Sequence, residues 1–349
     1  MPRARAILSG VFGWGELVAI ALIMTAFAVP FMSGSPFVYS VANQTLIAVT
    51  AAFGVYIMLR MDLLTFAVPA FMAVGGYTTA IAGLRGGITD AFVLTSLSFL
   101  VPALLAFPLG ALVLRLRGVY FVLVTFVLTE ITQLVLFETP ALTGGSNGLV
   151  GMPAVTLFGL ALEDNRAVVL FAAGLTLMAT VITAVLTRYF RQHFAAIEEN
   201  ELLAQSLGLV VWRYKALGFV IAAGLSGMAG FSLVNMLLTA HPTSFSPISS
   251  VNYIAYTIVG GRSAMLGPIL GSALLVWATN VFSLHGEYSQ GLFGLLILFV
   301  MFVAKGGIVG TIMALTRRGG LMHRAGLWSS PEALTRPAPG VAAPSTRPS

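Results

Sequence analysis

The sequence predicts an all-α polytopic membrane protein with about ten transmembrane helices, eight at the least, and with both termini in the cytoplasm. Three observations predict this fold class. Of the 349 residues, 58% are hydrophobic and only 9% are charged, whereas soluble domains carry about 25% charged residues. Uncharged runs of about 20 residues, the length that crosses a bilayer, recur along the chain. The cations fall almost entirely between alternate runs, as the positive-inside rule requires.

Ten candidate spans follow one another along the chain. The first is long enough to be a retained helix rather than a cleaved signal peptide. The eighth is short and follows two prolines, which predicts a broken or re-entrant helix. Residues 1–316 are therefore predicted to form one transmembrane domain, and residues 317–349 a disordered cytoplasmic tail rich in Pro, Ala, Ser and Arg. The predicted spans are Leu17–Phe37, Val38–Leu59, Leu63–Leu84, Ala91–Leu114, Gly118–Phe137, Ala167–Thr187, Ala216–Thr239, Val251–Gly261, Ser263–Leu284 and Tyr288–Ala304.

Charge sets the predicted topology. With the N-terminus inside and ten alternating spans, sixteen of the 18 Lys and Arg residues fall on the inner side, and only Arg85 and Arg166 fall outside. Removing the eighth span would place the arginine pair Arg317 and Arg318 outside, so the even count is favoured. The same topology accounts for the net charge of +6, and no nucleic-acid partner is expected.

Two polar segments lie between the predicted spans. Residues 138–166 form an external loop that contains the turn-rich run TGGSNGLVGMP. Residues 188–215 form a cytoplasmic loop, which is the longest polar interruption of the chain.

The cytoplasmic loop is predicted to contain one short amphipathic helix. Its acidic side is expected to face outward, and the opposite, apolar side to face the membrane domain. Gly208 stands where a C-terminal cap belongs. Such a helix either docks a soluble partner or only anchors the loop at the membrane surface. The acidic side carries Glu198, Glu201 and Gln205, and the apolar side carries Ala196, Leu203 and Leu207.

Residues for catalysis or metal binding form no recognisable pattern. The 4 histidines lie in separate loops and in the tail, without metal-ligand spacing. The absence of a G-x-x-x-x-G-K-[ST] motif excludes a P-loop ATPase, so ATP-driven transport would need a separate motor. With 0 cysteines, thiol chemistry is excluded as well. The sequence therefore predicts no enzyme, no metal site and no cofactor.

Glu130 is a carboxylate deep inside the fifth predicted span. An ionised group at mid-bilayer is costly, so Glu130 is expected to face the bundle interior and to have a partner. Glu130 and Gln133 are candidate pathway or gating residues, and the alternative is a structural tie between helices. In a self-sufficient secondary transporter, Glu130 would be the proton site.

Four further residues are candidates for a polar pathway. Asn43 and Gln44, near the outer end of the second span, line a path or bond across helices. Gly260 and Gly261 belong to the run VGGRSAMLGPILG, which is predicted to interrupt a helix and to present backbone groups to a pathway. Most other glycines are predicted to be packing residues.

Four blocks resemble the permease subunits of bacterial ABC importers for branched-chain amino acids, and are most similar to the M-type permease of the pair. The first is LLTFAVPAFMAVGGYTTA (Leu63–Ala80). The second is RLRGVYFVLVTFVLTEI (Arg115–Ile131), followed by LTGGSNGL (Leu142–Leu149). The third spans Ala195–Gly230, and the fourth is IVGGRSAMLGPILGSALL (Ile258–Leu275). Together the blocks cover most of residues 40–305.

The resemblance implies a multi-pass protein of the bacterial inner membrane, surrounded by lipid, that works in an assembly. The implied partners are a second homologous permease, two cytoplasmic ATP-binding subunits and an extracytoplasmic substrate-binding protein. The external run Thr143–Gly148 would face the binding protein. The cytoplasmic helix would be the ATPase-coupling helix, with Glu198, Glu199, Glu201, Gln205 and Gly208.

The chain departs from the family pattern at several positions, and these leave the substrate open. Thr65, Ala67 and Pro69 stand where the first block usually has Ser, Gly and often His, and Val119 and Arg262 also differ. The resemblance implies branched-chain or other apolar amino acids, with urea or short amides as the alternative. A secondary transporter and a structural membrane scaffold are the alternatives from other classes.

Overall fold

The structure is a computed structural model that describes residues 14–32, 34–283, 289–303 and 306–311. The predicted tail, residues 317–349, lies outside the described residues. The helices are α1 (Trp14–Ala26), α2 (Val29–Met32), α3 (Pro36–Leu59), α4 (Val68–Leu84), α5 (Ala91–Val113), α6 (Val119–Glu138), α7 (Pro140–Thr143), α8 (Asn165–Tyr189), α9 (Arg191–Glu199), α10 (Glu201–Ser206), α11 (Val211–Leu237), α12 (Ile248–Gly260), α13 (Leu266–Phe282) and α14 (Ser289–Val303).

Short strands and 3-10 turns connect some of these helices. Strand β1 (Leu149–Val150) pairs antiparallel with β4 (Thr239–Ala240), and β2 (Thr156–Leu157) pairs antiparallel with β3 (Leu160–Ala161). The 3-10 turns are Gly145–Asn147 and Pro242–Phe245.

Five of the described helices, α3, α5, α6, α8 and α11, are long and apolar enough to cross a membrane. Shorter apolar helical stretches are Gly15–Phe31, Val68–Leu84, Leu266–Phe282 and Gly291–Val300. The prediction of an all-α polytopic membrane protein is therefore confirmed.

Helix α11 lies at the centre of the bundle and packs on α3, α4 and α5. Three glycines at every third position allow this close packing, because small residues let helix backbones approach each other. A Cβ atom at Gly227 would collide with the Ser98 carbonyl oxygen of α5, and one at Gly230 with the Met72 carbonyl oxygen of α4. A Cβ atom at Gly224 would lie 2.6 Å from the Phe99 ring. These glycines are packing residues, as the sequence predicted.

Two predicted spans are interrupted by irregular backbone. The first breaks after Ala26, and the chain resumes as α2, in which Pro30 lacks the N–H that a continuous helix needs. The third was predicted to begin at Leu63, but residues 63–67 form no regular helix and α4 begins at Val68. Pro69 in the first turn of α4 is compatible with this start, since a proline there removes only an N–H that has no helical partner.

Helix α12 is a partial helix. Its 13 residues are fewer than the roughly 20 that cross a bilayer. Irregular backbone precedes it, from β4 through the 3-10 turn, where Phe245 packs beside Tyr77 in the middle of α4. This geometry matches the predicted broken or re-entrant helix.

We expect Gly230→Ala to lower the melting temperature of the detergent-purified protein by several degrees. The new methyl group would meet a backbone oxygen that cannot move aside, and overpacking of this kind costs about 1–3 kcal/mol or more. Gly174→Ala is the matched control, because nothing lies within 4 Å of a Cβ atom built there on α8. Equal melting temperatures for the two variants would contradict the packing role.

Candidate functional site

The predicted amphipathic helix is two helices, α9 and α10, called here the helical pair. Asn200 separates them in an extended conformation, with φ −160° and ψ 107°. The Asn200 side-chain oxygen accepts a hydrogen bond of 3.0 Å from the Leu203 N–H and so caps α10. Asparagine is among the strongest N-cap residues, so a new helix begins here instead of the first continuing.

Gly208 ends the helical pair as predicted. It has a φ of +89°, a left-handed conformation that favours glycine. Its N–H donates to the Gln205 carbonyl, and the Leu209 N–H donates to the Ala204 carbonyl, both at 3.0 Å. These two bonds form a Schellman motif, which satisfies the last carbonyls of α10.

The predicted orientation of the helical pair is wrong, because two of its three acidic residues, Glu198 and Glu201, face the protein. Glu198 accepts a hydrogen bond of 2.9 Å from Arg60, just after α3. Glu201 pairs with Lys215 of α11 at 2.8 Å and with Arg117 at 3.5 Å. Lys215 is only 5% exposed, so burial strengthens this charge-assisted bond. Cations at the helix ends therefore draw the carboxylates inward.

Apolar side chains instead cover the outer side of the helical pair. Leu207 is 81% exposed, and Ala196 and Leu203, which were expected to face the membrane domain, are exposed as well. Glu199 and Gln205 also lie on the exposed side. We give the name leucine patch to the exposed apolar residues of α10 and of the segment that follows it into α11, namely Leu202, Leu203, Leu207, Val210 and Trp212.

An aromatic cluster that sequence reasoning missed fixes α9 on α11. The His193 ring stacks on Tyr214 with centroids 4.6 Å apart, and Phe190 contacts Tyr214 edge-on at 5.6 Å. Phe194 and Ile197 are buried beneath them. The spacing of residues 190, 193, 194 and 197 is the i, i+3, i+4, i+7 pattern of one helix face, which was the available signal.

Helix α6 is held by polar bonds to irregular backbone. The Thr125 hydroxyl accepts from the Phe66 N–H at 3.1 Å, and the Thr129 hydroxyl donates to the Phe66 carbonyl at 2.8 Å. Ser250 of α12 donates to the same carbonyl at 2.7 Å. Further along α6, Gln133 donates to the Pro242 carbonyl at 3.3 Å. Backbone that leaves helical form inside a membrane requires such partners.

Glu130 does not face the bundle interior, contrary to the prediction. It is exposed on the outer side of α6. Its helical neighbours there are apolar and at least half exposed, namely Val127, Ile131 and Leu134. The angular spacing of residues around the helix explains this position. Thr125 and Thr129 occupy the packed face of α6, and Glu130 lies about 100° around the helix axis from Thr129.

The remaining predicted residues lie in two other places. Gln44 accepts a hydrogen bond of 3.1 Å from Asn280, which ties α3 to α13, whereas Asn43 is buried beside α8 and α11. Gly260 and Gly261 form the turn from α12 into α13, and a Cβ atom at Gly260 would collide with the Gly267 carbonyl. The local reason is close packing for Gly260, whereas Gly261 has a φ of +116°, a conformation that favours glycine.

The loop predicted to be external is ordered. Gly144, Gly145 and Gly148 have φ values of +77°, +59° and +67°, so this turn requires glycine. Arg85, at the end of α4, donates to the Ala141 and Leu142 carbonyls at 2.6 and 3.1 Å. Among the residues that the structure describes, no cluster of acidic, histidine or cysteine side chains could hold a metal ion.

Comparison with known proteins places these features in a family. Residues 37–304 match the family described as the branched-chain amino acid transport system permease component. Two relatives are the high-affinity branched-chain amino acid transport system permease proteins LivM of Salmonella typhimurium and Escherichia coli. They are 29% and 28% identical over 319 residues, which cover 84% of this chain and 75% of each relative. No solved structure shows significant similarity. The chain therefore belongs to the permease family of branched-chain amino acid transport systems, as its sequence motifs predicted.

Proposed function

We propose that the chain is the permease of an ABC importer that carries branched-chain or other apolar amino acids. It acts with a second homologous permease, two cytoplasmic ATP-binding subunits and an extracytoplasmic substrate-binding protein. The observation that carries this proposal is the leucine patch on a helical pair that is bonded by charge to the membrane helices. Family membership supports the substrate class.

The distribution of cations supports a cytoplasmic position for the helical pair. Arg60, Arg117 and Lys215 all meet its carboxylates. Arg85 binds the opposite, glycine-rich loop, and Arg166 donates to Tyr39 near the start of α3. Cytoplasmic ends of membrane helices are rich in Lys and Arg. Ten passes with both termini in the cytoplasm fit this segregation.

The leucine patch is the proposed docking surface for an ATP-binding subunit. Several exposed large apolar side chains within one short segment mark a surface that another protein covers. The carboxylates behind the patch then transmit its movement to α3 and α11 through ion pairs. In this arrangement Glu198 and Glu201 couple the helical pair to the membrane domain, rather than contacting the ATPase as their predicted outward orientation implied.

The exposed face of α6 is the proposed contact with the second permease. A lone carboxylate among apolar side chains is costly to expose to lipid tails, so protein or a water-filled path must cover Glu130. Glu130 and Gln133 then lie beside the translocation path between the two permeases. The irregular backbone next to α6 agrees with this position, because such backbone is tolerated only in protein or along a cavity.

We expect Leu207→Glu to reduce co-purification of the ATP-binding subunits, and substrate-stimulated ATP hydrolysis, by about tenfold, because a charge replaces an apolar anchor. Mass spectrometry of the tagged chain purified in mild detergent measures what remains bound. Leu160→Glu, an equally exposed leucine in β3, is the control and should retain the subunits. A wild-type chain that purifies alone and catalyses ion-coupled uptake in liposomes would contradict the proposed function.

We expect Glu201→Lys to destabilise the protein by about 3 kcal/mol, because it leaves buried Lys215 beside another cation. Thermal unfolding of the purified protein measures this loss. Glu199→Lys makes the same charge reversal at an exposed position and should unfold at the wild-type temperature. If both variants unfold at that temperature, Glu201 does not hold the pair to α11.

We expect Glu130→Gln to reduce uptake by the reconstituted complex several-fold while leaving subunit assembly unchanged, because the amide keeps the size of the side chain and removes its charge. Glu138→Gln, at the end of the same helix, is the control. Wild-type uptake by Glu130→Gln would contradict a role for this charge in the translocation path.

A further inference from the structure

A polar cavity of about 350 Å³ lies within the chain at the end of the bundle that carries the glycine-rich loop. Its walls come from the start of α3, the start of α8 and the end of α11, and residues 162–163 lie over it. The cavity is separate from the exposed face of α6 and from the leucine patch, since neither contributes a residue to its lining.

The lining of the cavity includes a buried side-chain amide whose oxygen accepts no hydrogen bond from the described residues. Asn43 lines the cavity and is 3% exposed, and within the described part of the chain its side-chain oxygen has no partner. Asn235 of α11, also buried, lines the same cavity. Leaving a buried amide oxygen unbonded is unfavourable, so a donor supplied from the cavity would stabilise this site.

The lining combines hydrogen-bond acceptors with an aliphatic wall. Glu163 and Asn165 are exposed at the mouth of the cavity. Val168, Val169 and Met236 form apolar parts of the lining. Polar groups that converge beside apolar side chains are typical of small-molecule sites, where the polar groups set the orientation of the ligand.

We propose that this cavity binds a single apolar α-amino acid within one permease chain. The ammonium group donates to the Asn43 oxygen, and Glu163 at the mouth adds negative charge that attracts the cation. The side-chain amides of Asn165 and Asn235 are donors for the carboxylate, and the aliphatic side chain lies against the valines. This proposal rests on the proposed function for the class of substrate and adds a site outside the interface between the permeases.

The size of the cavity favours a solute over a single structural water. A water molecule occupies about 30 Å³ of liquid, about a tenth of the volume here. Tyr39 keeps part of the wall in place, because its hydroxyl donates to the Pro30 carbonyl at 3.4 Å and accepts from Arg166 at 3.1 Å.

The test measures binding of radiolabelled leucine to the complete complex in nanodiscs, without the substrate-binding protein. The wild-type complex should bind leucine saturably, and isoleucine should displace it. N-acetyl-leucine, which lacks the ammonium group, should not. Asn43→Leu should weaken binding by about tenfold or more, because it removes the acceptor and fills the space. Asn280→Leu is the matched control: Asn280 bonds Gln44 outside the cavity, and this variant should bind as wild type does.

If the Asn43→Leu variant fails to assemble, the Glu163→Gln variant still tests the proposal. The Glu163 side chain is exposed at the mouth of the cavity, so its replacement should not disturb assembly. This variant should bind leucine several-fold more weakly. Unchanged affinity in both variants, displacement by N-acetyl-leucine, or no saturable binding to the wild-type complex would overturn the proposal. In each case, import of leucine by the complex supplied with its binding protein would leave the proposed function standing. A complex that imports urea and not leucine would contradict the proposed function itself.

Discussion

The close approach of α11 to α4 and α5 is the constraint on which the rest of the structure depends. It exists because Gly224, Gly227 and Gly230 present no side chain to the carbonyls and the ring that face them. Helix α11 also carries Lys215 near its first turn and Asn235 near its last. One tightly packed helix therefore connects two distant sites. At one end it carries the ion pair that anchors the helical pair, and at the other end it lines the polar cavity.

Hydrogen-bond requirements explain why α6 stays attached although little of it is buried. The irregular segment before α4 leaves the Phe66 backbone groups without helical partners, and hydroxyls from α6 and α12 supply them. Because Thr125 and Thr129 attach α6 through one narrow face, the other faces of this helix remain exposed on the surface of the chain. The exposed position of Glu130 follows from the same geometry.

Sequence reasoning predicted the fold class, the family and the role of most glycines, because composition, run length and motif order carry those properties. The orientation of the acidic residues of α9 and α10 was not predictable from periodicity alone. A helical pattern shows that two faces differ, but the cations at residues 60, 117 and 215 decide which face turns inward, and they come from distant parts of the chain. The burial of Glu130 was predicted only from the free-energy cost of exposing an ionised carboxylate to lipid. That cost implies that the carboxylate is covered, but it does not indicate which protein chain covers it.

The break at Asn200 gives the two short helices different attachments to the membrane helices. Helix α9 is fastened to the end of α3 through Glu198, and α10 is fastened to α11 through Glu201. The extended residue between them separates the two helices, so each short helix keeps its own ionic anchor, while the aromatic cluster adds a second attachment of α9 to α11. In the proposed assembly, a displacement of the leucine patch would therefore reach α11 through both an ion pair and an aromatic stack, but α3 through one ion pair among those described.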